Sequence, residues 1–390
     1  MKRYFPLTVL LLAFVYFSTT GFQCGSAELT SAKLYMAQKQ WEKAEASLVK
    51  ELQKNDKNEE AWYNLGQVRL ELKKYKEMND AFSRALAINE THKADINRYR
   101  LGVWANMYNE GVGAYNKGKD TADFYDRAIE DFKTAIVMEP DSSGTYYVAA
   151  LAYYAKKDYK NVESNLESAL QKKSDFADAA RFLGQLHYLY AGEKNDAKDS
   201  AGAFAEYVKA AKAFEIAYQA APNVPENITN LIDAYDRTKE SEKALALTSK
   251  AVEKDPTNKI YRYAYGVFLL KQDKYEPSIE QFKKAIEIDP TYYDAIYNCG
   301  VANLNWGVAV KAENEKKFEN EKKGSKTKVK EDLSFKEKFA AALPYLEKST
   351  EIRPDDALLW QQLGRLYAIL NMPDKSKSAF EKFDQLTKSK

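Results

Sequence analysis

Glycine, proline, cysteine and histidine are all scarce in this chain of 390 residues. Its 16 glycines and 10 prolines are few for the many tight turns of a β-sandwich, a β-barrel or a doubly wound sheet, which disfavours those folds. Two cysteines exclude a disulfide framework and an all-cysteine zinc site. Two histidines leave little for histidine-based catalysis or metal binding. The sequence predicts no cofactor and no metal site.

An excess of one charge is also absent. Lysine and arginine number 59 and aspartate and glutamate 57, a net charge of +2. Such a balance provides no general field that attracts nucleic acid or anionic lipid. Phosphate-binding loops, metalloprotease helices and nucleophile elbows are missing as well. We therefore predict no nucleic-acid partner, no catalytic residue and no enzymatic activity.

The only long apolar run lies at the N-terminus. It covers about eleven residues from Leu7 to Phe17 and follows Lys2 and Arg3. A transmembrane helix needs about 20 apolar residues, whereas this length is typical of a signal peptide. We predict that residues 1–27 direct export, which places the protein in the periplasm or at the outer membrane.

Two processing routes are compatible with this segment, beside an uncleaved anchor. An ordinary signal peptidase would cut after Ala27, because Gly25 and Ala27 supply the small residues that it requires. Alternatively, Cys24 stands where a bacterial lipoprotein carries its lipidated cysteine, although Phe22 and Gln23 are larger than the residues usual before that cysteine. Only the second route would attach the protein to a membrane.

What the chain does contain is a repeat. Pro222, Pro256 and Pro290 are each 34 residues apart. When each proline is numbered 32, small residues recur at positions 20 and 27, and bulky ones at 24. Glycine recurs at position 8, as Gly66, Gly184, Gly266, Gly300 and Gly364. These spacings predict two amphipathic helices that approach closely at the small residues.

This pattern resembles the tetratricopeptide repeat, in which two antiparallel helices form each repeat. The resemblance implies an all-α fold, an α-solenoid in which helix-turn-helix units stack into a right-handed superhelix. We expect a single solenoid over residues 28–390. Its nine repeats are predicted at 25–58, 59–92, 93–142, 143–176, 177–224, 225–258, 259–292, 293–356 and 357–390.

Three repeats, the third, fifth and eighth, carry 16, 14 and 30 extra residues of helix-forming composition between their two helices. The charged insertion at 311–338 contains ten lysines and seven acidic residues. Pairs such as Glu313 and Lys317, four residues apart, support an exposed helix. We predict a helical hairpin or a partly frayed loop there, which serves either as a spacer or as an arm that contacts a partner or lipid headgroups.

In the tetratricopeptide family, helix A positions 2, 5, 9, 12 and 13 line a concave surface that binds peptides. Carried over to this sequence, the predicted groove residues are Tyr63, Gln67, Tyr147, Leu151, Tyr154, Arg181, Gln185, Tyr188, Asp233, Tyr263, Val267 and Tyr297. Tyrosine suits a recognition surface, although the same rings could instead pack along their own helix. The carboxylate clamp of chaperone-binding family members is absent, so we do not expect chaperone tails as partners.

The resemblance implies a protein or peptide partner of unknown identity. Our leading hypothesis is a non-enzymatic scaffold or adaptor of the bacterial cell envelope that binds its partner through the concave groove. Two alternatives stay open: an accessory structural subunit of an envelope secretion or assembly machine, and a periplasmic binder of peptidoglycan or another glycan. The membrane would be contacted only through a lipid on Cys24.

Overall fold

The computed structural model describes residues 26–324 and 333–388. These residues form 18 helices and no strand, which confirms the predicted all-α fold of the α-solenoid class. None of these helices is both long enough and apolar enough to cross a membrane. The predicted signal peptide, with Cys24, falls on residues that lie outside the described part, except for Ser26 and Ala27.

The chain divides into two compact units, Met1–Ala179 and Ala180–Lys390. The helices of the first unit are α1 Ala27–Ala37, α2 Trp41–Lys54, α3 Glu59–Glu71, α4 Tyr75–Ile88, α5 Lys93–Gly118, α6 Asp123–Met138, α7 Ser143–Ala155 and α8 Tyr159–Lys172. They pair as antiparallel hairpins, each a first helix and a second helix. The single continuous stack of nine repeats stays a prediction.

The second unit begins within helix α9. Its helices are α9 Ala177–Asp196, α10 Ser200–Ala220, α11 Pro225–Arg237, α12 Ser241–Lys254, α13 Lys259–Lys271, α14 Tyr275–Ile288, α15 Tyr293–Gly324, α16 Phe335–Ile352, α17 Ala357–Ile369 and α18 Pro373–Lys388. Most helices start at a polar residue. Asn58 and Asp158, for example, accept hydrogen bonds from backbone N–H groups of the first turn, which satisfies donors that a helix leaves unpaired.

Glycine at repeat position 8 makes room for the large side chain at position 24. A Cβ on Gly66 would lie only 2.2 Å from the Phe82 ring, and one on Gly266 would lie 2.7 Å from the Phe282 ring. Both phenylalanines are fully buried. The two helices of a hairpin are therefore held together by an aromatic ring seated on the bare backbone of the partner helix.

The turn between the two helices of a hairpin has an unusual residue in the left-handed conformation. This position is normally glycine or asparagine. Here it is lysine five times, with φ from 55° to 60°, as Lys39, Lys73, Lys157, Lys198 and Lys239. A residue with a Cβ costs roughly 1–2 kcal/mol in this region relative to the right-handed one, so the backbone alone does not account for lysine.

The three enlarged repeats lengthen helices. In the third repeat, α5 has 26 residues. The glycine that faces Phe132 is Gly111, in the second half of α5, and a Cβ added to it would lie 2.6 Å from the Phe132 ring. In the fifth, α9 and α10 have 20 and 21 residues.

The eighth repeat is a long hairpin of α15 and α16. The two helices meet where Gly300 faces Leu346 and where Gly307 faces Phe339. Beyond these contacts, Asn314 Nδ2 donates a 3.1 Å hydrogen bond to Oγ of Ser334, the residue just before α16. The segment that joins these helices, residues 325–332, lies outside the described part.

Candidate functional site

Three of the predicted groove tyrosines pack against an aromatic residue 29 positions later, at the last position of the same repeat. The ring centroids of Tyr63 and His92 are 3.8 Å apart and stacked. Those of Tyr147 and Phe176 are 5.2 Å apart, and those of Tyr263 and Tyr292 are 5.3 Å apart. The position-5 tyrosine therefore joins the first helix of a hairpin to the end of that hairpin.

Tyr63 is the most deeply placed of these rings, with 9% of its surface exposed. Gln67 Nε2 donates to the hydroxyl oxygens of Tyr63 at 3.1 Å and Tyr99 at 3.0 Å. Burial, and next the neighbouring Tyr99, raise the pKa of Tyr63 to about 12. The Gln67 amide therefore donates its hydrogen bonds to groups inside the protein. Both predicted groove residues, Tyr63 and Gln67, are largely engaged in internal contacts.

Tyr154 is the most open of the predicted groove tyrosines in the first unit. It is 46% exposed, and its ring centroid lies 5.8 Å from that of Tyr159. Leu151, one turn earlier on α7, is half-buried. A large, partly exposed ring of this kind can contact a partner with little loss of side-chain freedom.

In the second unit, Arg181 supports a helix end. One of its guanidinium nitrogens donates to Asn227 Oδ1 at 3.2 Å. The Asn227 amide in turn donates to the carbonyl oxygens of Ala217 and Ala221 at 2.9 and 3.0 Å. Asn227 is fully buried, and its amide adds a second hydrogen bond to two carbonyl groups that already accept from the N–H groups of Ala221 and Val224 at the end of α10.

Tyr188 is the centre of a different arrangement. Its ring lies 5.2 Å from that of Tyr207 and 5.6 Å from that of Phe214. Its hydroxyl is buried and makes no hydrogen bond within the described residues. Burial, reinforced by the Asp233 carboxylate, raises the pKa of Tyr188 far above its ordinary value. The hydroxyl therefore remains protonated, and Asp233 is the carboxylate that acts on it, although no well-formed hydrogen bond joins the two groups.

A second buried polar group without a hydrogen bond lies on α11, three residues before Asp233. The Nδ2 of Asn230 is buried and has no hydrogen-bond partner in the described part of the chain. Asn230 precedes Asp233 by one helical turn and so shares its side of α11. The Asp233 side chain is half exposed, and its Oδ2 lies 3.8 Å from Nε of Arg237. We call Tyr188, Asn230, Asp233 and Arg237 the Tyr188 cluster.

The remaining predicted groove residues are partly engaged. Asn298 Nδ2 donates to the Tyr263 hydroxyl at 3.3 Å. Tyr297 stacks on Tyr293 and shares a hydrogen bond of 3.4 Å with Gln362. Val267 is half-buried, and Gln185, one turn before Tyr188, is exposed. The assignment of the full set of twelve residues as one groove stays a prediction.

Groups that could carry chemistry are packed instead. His187 is buried, and its Nδ1 lies 2.8 Å from Glu206 Oε2. Cys299 is buried, and burial raises the pKa of its thiol to about 11, so the reactive thiolate is scarce at neutral pH. No group of three or more potential metal ligands occurs in residues 26–324 and 333–388.

Sequence reasoning missed some of these residues. His92, Phe176 and Tyr292 all occupy position 34, and comparison of the three repeats at that position would have found them. Tyr207 and Asn230 carry no such signal, because their importance depends on which neighbours the fold brings near Tyr188.

Three family models match the chain. One described as a tetratricopeptide repeat matches residues 29–92, a second with the same description matches 357–389, and one described as a TPR repeat matches 269–307. The first of these matches lies in the first unit, and the other two lie in the second unit.

Two curated proteins are similar to the chain. The TPR repeat-containing protein MJ1428 of Methanocaldococcus jannaschii is 26% identical over 291 residues, which cover 70% of this chain and 47% of that protein. Superkiller complex protein 3 of Homo sapiens is 22% identical over 222 residues, which cover 49% of this chain and 14% of that protein. The chain thus spans less than half of the length of either relative.

Solved structures with a similar backbone fold include YrrB, described as a TPR protein with an unusual peptide-binding site. It has a TM-score of 0.42 and 21% identity, and the match covers 59% of this chain and 96% of YrrB. The C-terminal part of a TPR repeat-containing protein from Cytophaga hutchinsonii has a TM-score of 0.48 and 16% identity over 72% of this chain and 96% of that chain. The matching family models show that this chain contains tetratricopeptide repeats, at residues 29–92, 269–307 and 357–389.

Proposed function

We propose that this protein is a non-enzymatic scaffold of the bacterial cell envelope that binds a segment of a partner protein at the Tyr188 cluster. The observation that supports this proposal is the pair of buried polar groups, Tyr188 hydroxyl and Asn230 Nδ2, that have no partner within the described residues. A buried group without a hydrogen bond costs roughly 1–3 kcal/mol. A bound ligand that supplies the missing acceptors would recover this energy.

A polypeptide segment fits that requirement. Both unused groups are donors, and every residue of a peptide presents a carbonyl oxygen that accepts. The Asp233 and Arg237 side chains next to them offer one charge of each sign to side chains of the partner. Exposed Gln185 extends the same polar surface by one helical turn. Every peptide has backbone carbonyls, so recognition through them places few restrictions on the amino-acid sequence of the partner. Such broad recognition suits a scaffold.

The first test is Tyr188→Phe, matched with Tyr235→Phe. Tyr188→Phe removes a hydroxyl without a partner, so the melting temperature should stay the same or rise, while partner binding weakens. Tyr235 donates to Glu215 Oε1 at 2.8 Å, so Tyr235→Phe should lower stability by about 1 kcal/mol and leave binding alone. The proposal would be refuted if, in both variants, partner binding weakened only to the extent that the melting temperature fell.

Photo-crosslinking identifies the partner's class. A crosslinking amino acid at Gln185 in native cells, with exposed Lys212 of α10 as the control position, should give a protein adduct from Gln185 only. A glycan adduct would replace this proposal with the polysaccharide-binding alternative. Protein adducts from Lys212 but not from Gln185 would favour the accessory-subunit alternative, in which the outer surface makes the contacts.

We also propose export, with a cut that precedes Ser26. The support is the role of Ser26 in the described structure: its hydroxyl accepts from Leu29 N–H as the N-cap of α1 and donates to the Glu51 carboxylate. Glu51 is buried and accepts from Asn58 Nδ2 at 2.7 Å on its other oxygen. A cut after Ala27 would remove the cap and one of these two donors, whereas processing at Cys24 would keep both.

Intact-mass measurement of the native protein tests export. We expect a lipidated N-terminus at Cys24 in the membrane fraction, and release into the soluble periplasmic fraction for Cys24→Ala. A mature chain that starts at Glu28 would refute the Cys24 route while retaining export. A full-length chain in the cytoplasm would refute export itself, without bearing on the Tyr188 cluster.

A further inference from the structure

The connecting turns of the first unit separate charge. The turns between the two helices of a hairpin, at 38–40, 72–74, 119–122 and 156–158, contain six lysines and two aspartates, a net charge of +4. The turns between hairpins, at 55–58, 89–92, 139–142 and 173–176, contain two lysines and five acidic residues, a net charge of −3. A net charge of +2 for the whole chain hides this separation.

The second unit does not share the pattern. Its turns within hairpins that the structure describes in full, at 197–199, 238–240, 272–274 and 370–372, have no net charge, because each lysine is balanced by an acidic residue of the same turn. Lys198 is followed by Asp199, and Lys239 by Glu240. The basic turns of the first unit are therefore not a general property of the repeat.

Three of these lysines are held where the backbone disfavours them. Lys39, Lys73 and Lys157 have φ between 55° and 58°, where glycine or asparagine would fit with less strain. All three are exposed, and none forms an ion pair within the part of the chain that the structure describes. Lys198 and Lys239 have the same conformation, so what distinguishes these three lysines is that each lies in a turn with a net positive charge. We call these residues the lysine turns.

A small, partly apolar pocket lies beside the central lysine turn. It has a volume of about 250 Å³, and Leu70, Tyr75 and Val103 line it together with the polar side chains of Arg98 and Asn106. Leu70 stands three residues before Lys73, and Tyr75 two residues after it. Positive charge and a partly apolar pocket therefore occur side by side in the first unit.

We propose that the lysine turns bind an extended acidic segment of a partner protein that also inserts one apolar side chain into this pocket. This inference deepens the proposed scaffold function by naming the chemistry of a partner, and it uses a surface separate from the Tyr188 cluster. Anionic lipid headgroups or a nucleic acid would match the charge. A nucleic acid has no apolar side chain to insert, and the acyl chains of a lipid are buried in the bilayer, which favours a peptide.

The length of such a segment follows from the helices. Packed helices lie about 8–10 Å apart, so the three steps from the first lysine turn to the last span at least about 25–30 Å. An extended chain advances about 3.3 Å per residue. A peptide of about nine or more residues is therefore required to reach from Lys39 to Lys157.

The test measures binding of labelled synthetic peptides to the mature chain by fluorescence anisotropy. The probe is a 15-residue peptide with glutamate at every third position and a central leucine. Two control peptides replace all glutamates by glutamine, or the leucine by serine. We expect the acidic leucine peptide to bind most tightly, with an affinity that falls as salt is added. Both control peptides should bind more weakly.

The decisive variant is Lys39→Asn, Lys73→Asn and Lys157→Asn combined. Asparagine tolerates the left-handed conformation, so the variant should fold at least as well as the original protein. Loss of three exposed charge contacts should weaken peptide binding by roughly tenfold and flatten its salt dependence. The matched control is Lys198→Asn with Lys239→Asn, which changes the same kind of turn in the second unit and should leave the affinity unchanged.

Several results would overturn this inference. These are equal binding of the glutamine peptide, an affinity that the triple variant retains, and an equal loss in the control variant. Tight binding to anionic phospholipid vesicles or to a DNA oligonucleotide, with no binding of the acidic peptide, would assign the lysine turns to those partners instead. Failure here leaves crosslinking from Gln185 unaffected, so the two proposals fail separately.

Discussion

A methyl group added to the position-8 glycines should destabilise the protein in proportion to how closely the position-24 ring approaches. In Gly66→Ala, the new Cβ would stand 2.2 Å from a carbon of the Phe82 ring, and in Gly266→Ala 2.7 Å from Phe282. In Gly364→Ala the distance to Phe380 is 3.0 Å. Ordinary contact begins near 3.4 Å, so Phe82 must move by more than 1 Å.

The magnitude follows from two opposing effects. Overpacking of a core costs about 1–3 kcal/mol, and Phe82, which is fully buried, has no free space into which to move. Replacement of a helical glycine by alanine gains about 1 kcal/mol. We expect Gly66→Ala to cost about 2 kcal/mol net. Gly266→Ala should cost less, and Gly364→Ala should be near neutral because half-buried Phe380 can shift.

Gly113→Ala is the matched control, because nothing lies within 4 Å of a Cβ at that position of α5. It should stabilise the protein by up to about 1 kcal/mol. Chemical denaturation gives the four free energies, and hydrogen exchange shows where protection is lost. Protection should fall first in the hairpins next to the substituted one, as expected for nearest-neighbour stability. Four equal effects, or a Gly66→Ala protein as stable as Gly113→Ala, would refute the reasoning.

Three further predictions concern other parts of the chain. Lys157→Gly should raise stability by about 1 kcal/mol, because it relieves a left-handed residue with φ of 58°, and a lower melting temperature would contradict this. Burial disfavours the charged form of Glu347, but hydrogen bonds from Tyr367 and Lys375 outweigh it and hold its pKa below the ordinary 4.5. Its stabilising effect is therefore present above pH 4.5 and is lost as the pH falls through the lowered value. Hydrogen exchange of α17 should show this loss in the native protein and not in Glu347→Gln. Because burial raises the Cys299 pKa to about 11, a thiol reagent at pH 8 should label Cys299 only as fast as the protein opens, and rapid labelling of the folded protein would disprove its burial.

The periodicity of the sequence was sufficient to predict the fold class. Glycine at position 8 and a bulky residue at position 24 recur often enough that the hairpin follows from them, and in most repeats the structure seats that residue on that glycine. The third repeat was harder, because its long first helix shifts the contact to Gly111. That shift depends on which of several glycines meets Phe132, and the sequence of α5 contains Gly102, Gly111, Gly113 and Gly118.

The candidate site was predictable only in outline. The family pattern identifies Tyr63 and Tyr188 alike as groove residues, yet Tyr63 is packed on His92, whereas Tyr188 keeps an unused hydroxyl. The difference comes from neighbours distant in sequence. The lysine turns were visible in the sequence as lysines, but their left-handed conformation was not, because the residue type argues against it.

The contacts between α15 and α16 have a consequence for how the length of this hairpin can change. Gly300 and Gly307 are seven residues apart on α15, and their partners Leu346 and Phe339 are seven residues apart on α16. Seven residues are close to two helical turns. These residues therefore form a seam of the kind found in antiparallel coiled coils, where a seven-residue period keeps one stripe facing the partner helix. Removal of seven residues from each arm would shorten the hairpin and preserve the seam. Removal of any other small number would rotate the outer part of α15 away from α16 by about 100° per residue. We therefore expect natural and engineered length variants of this hairpin to differ by whole heptads, while the hairpins on either side keep their packing.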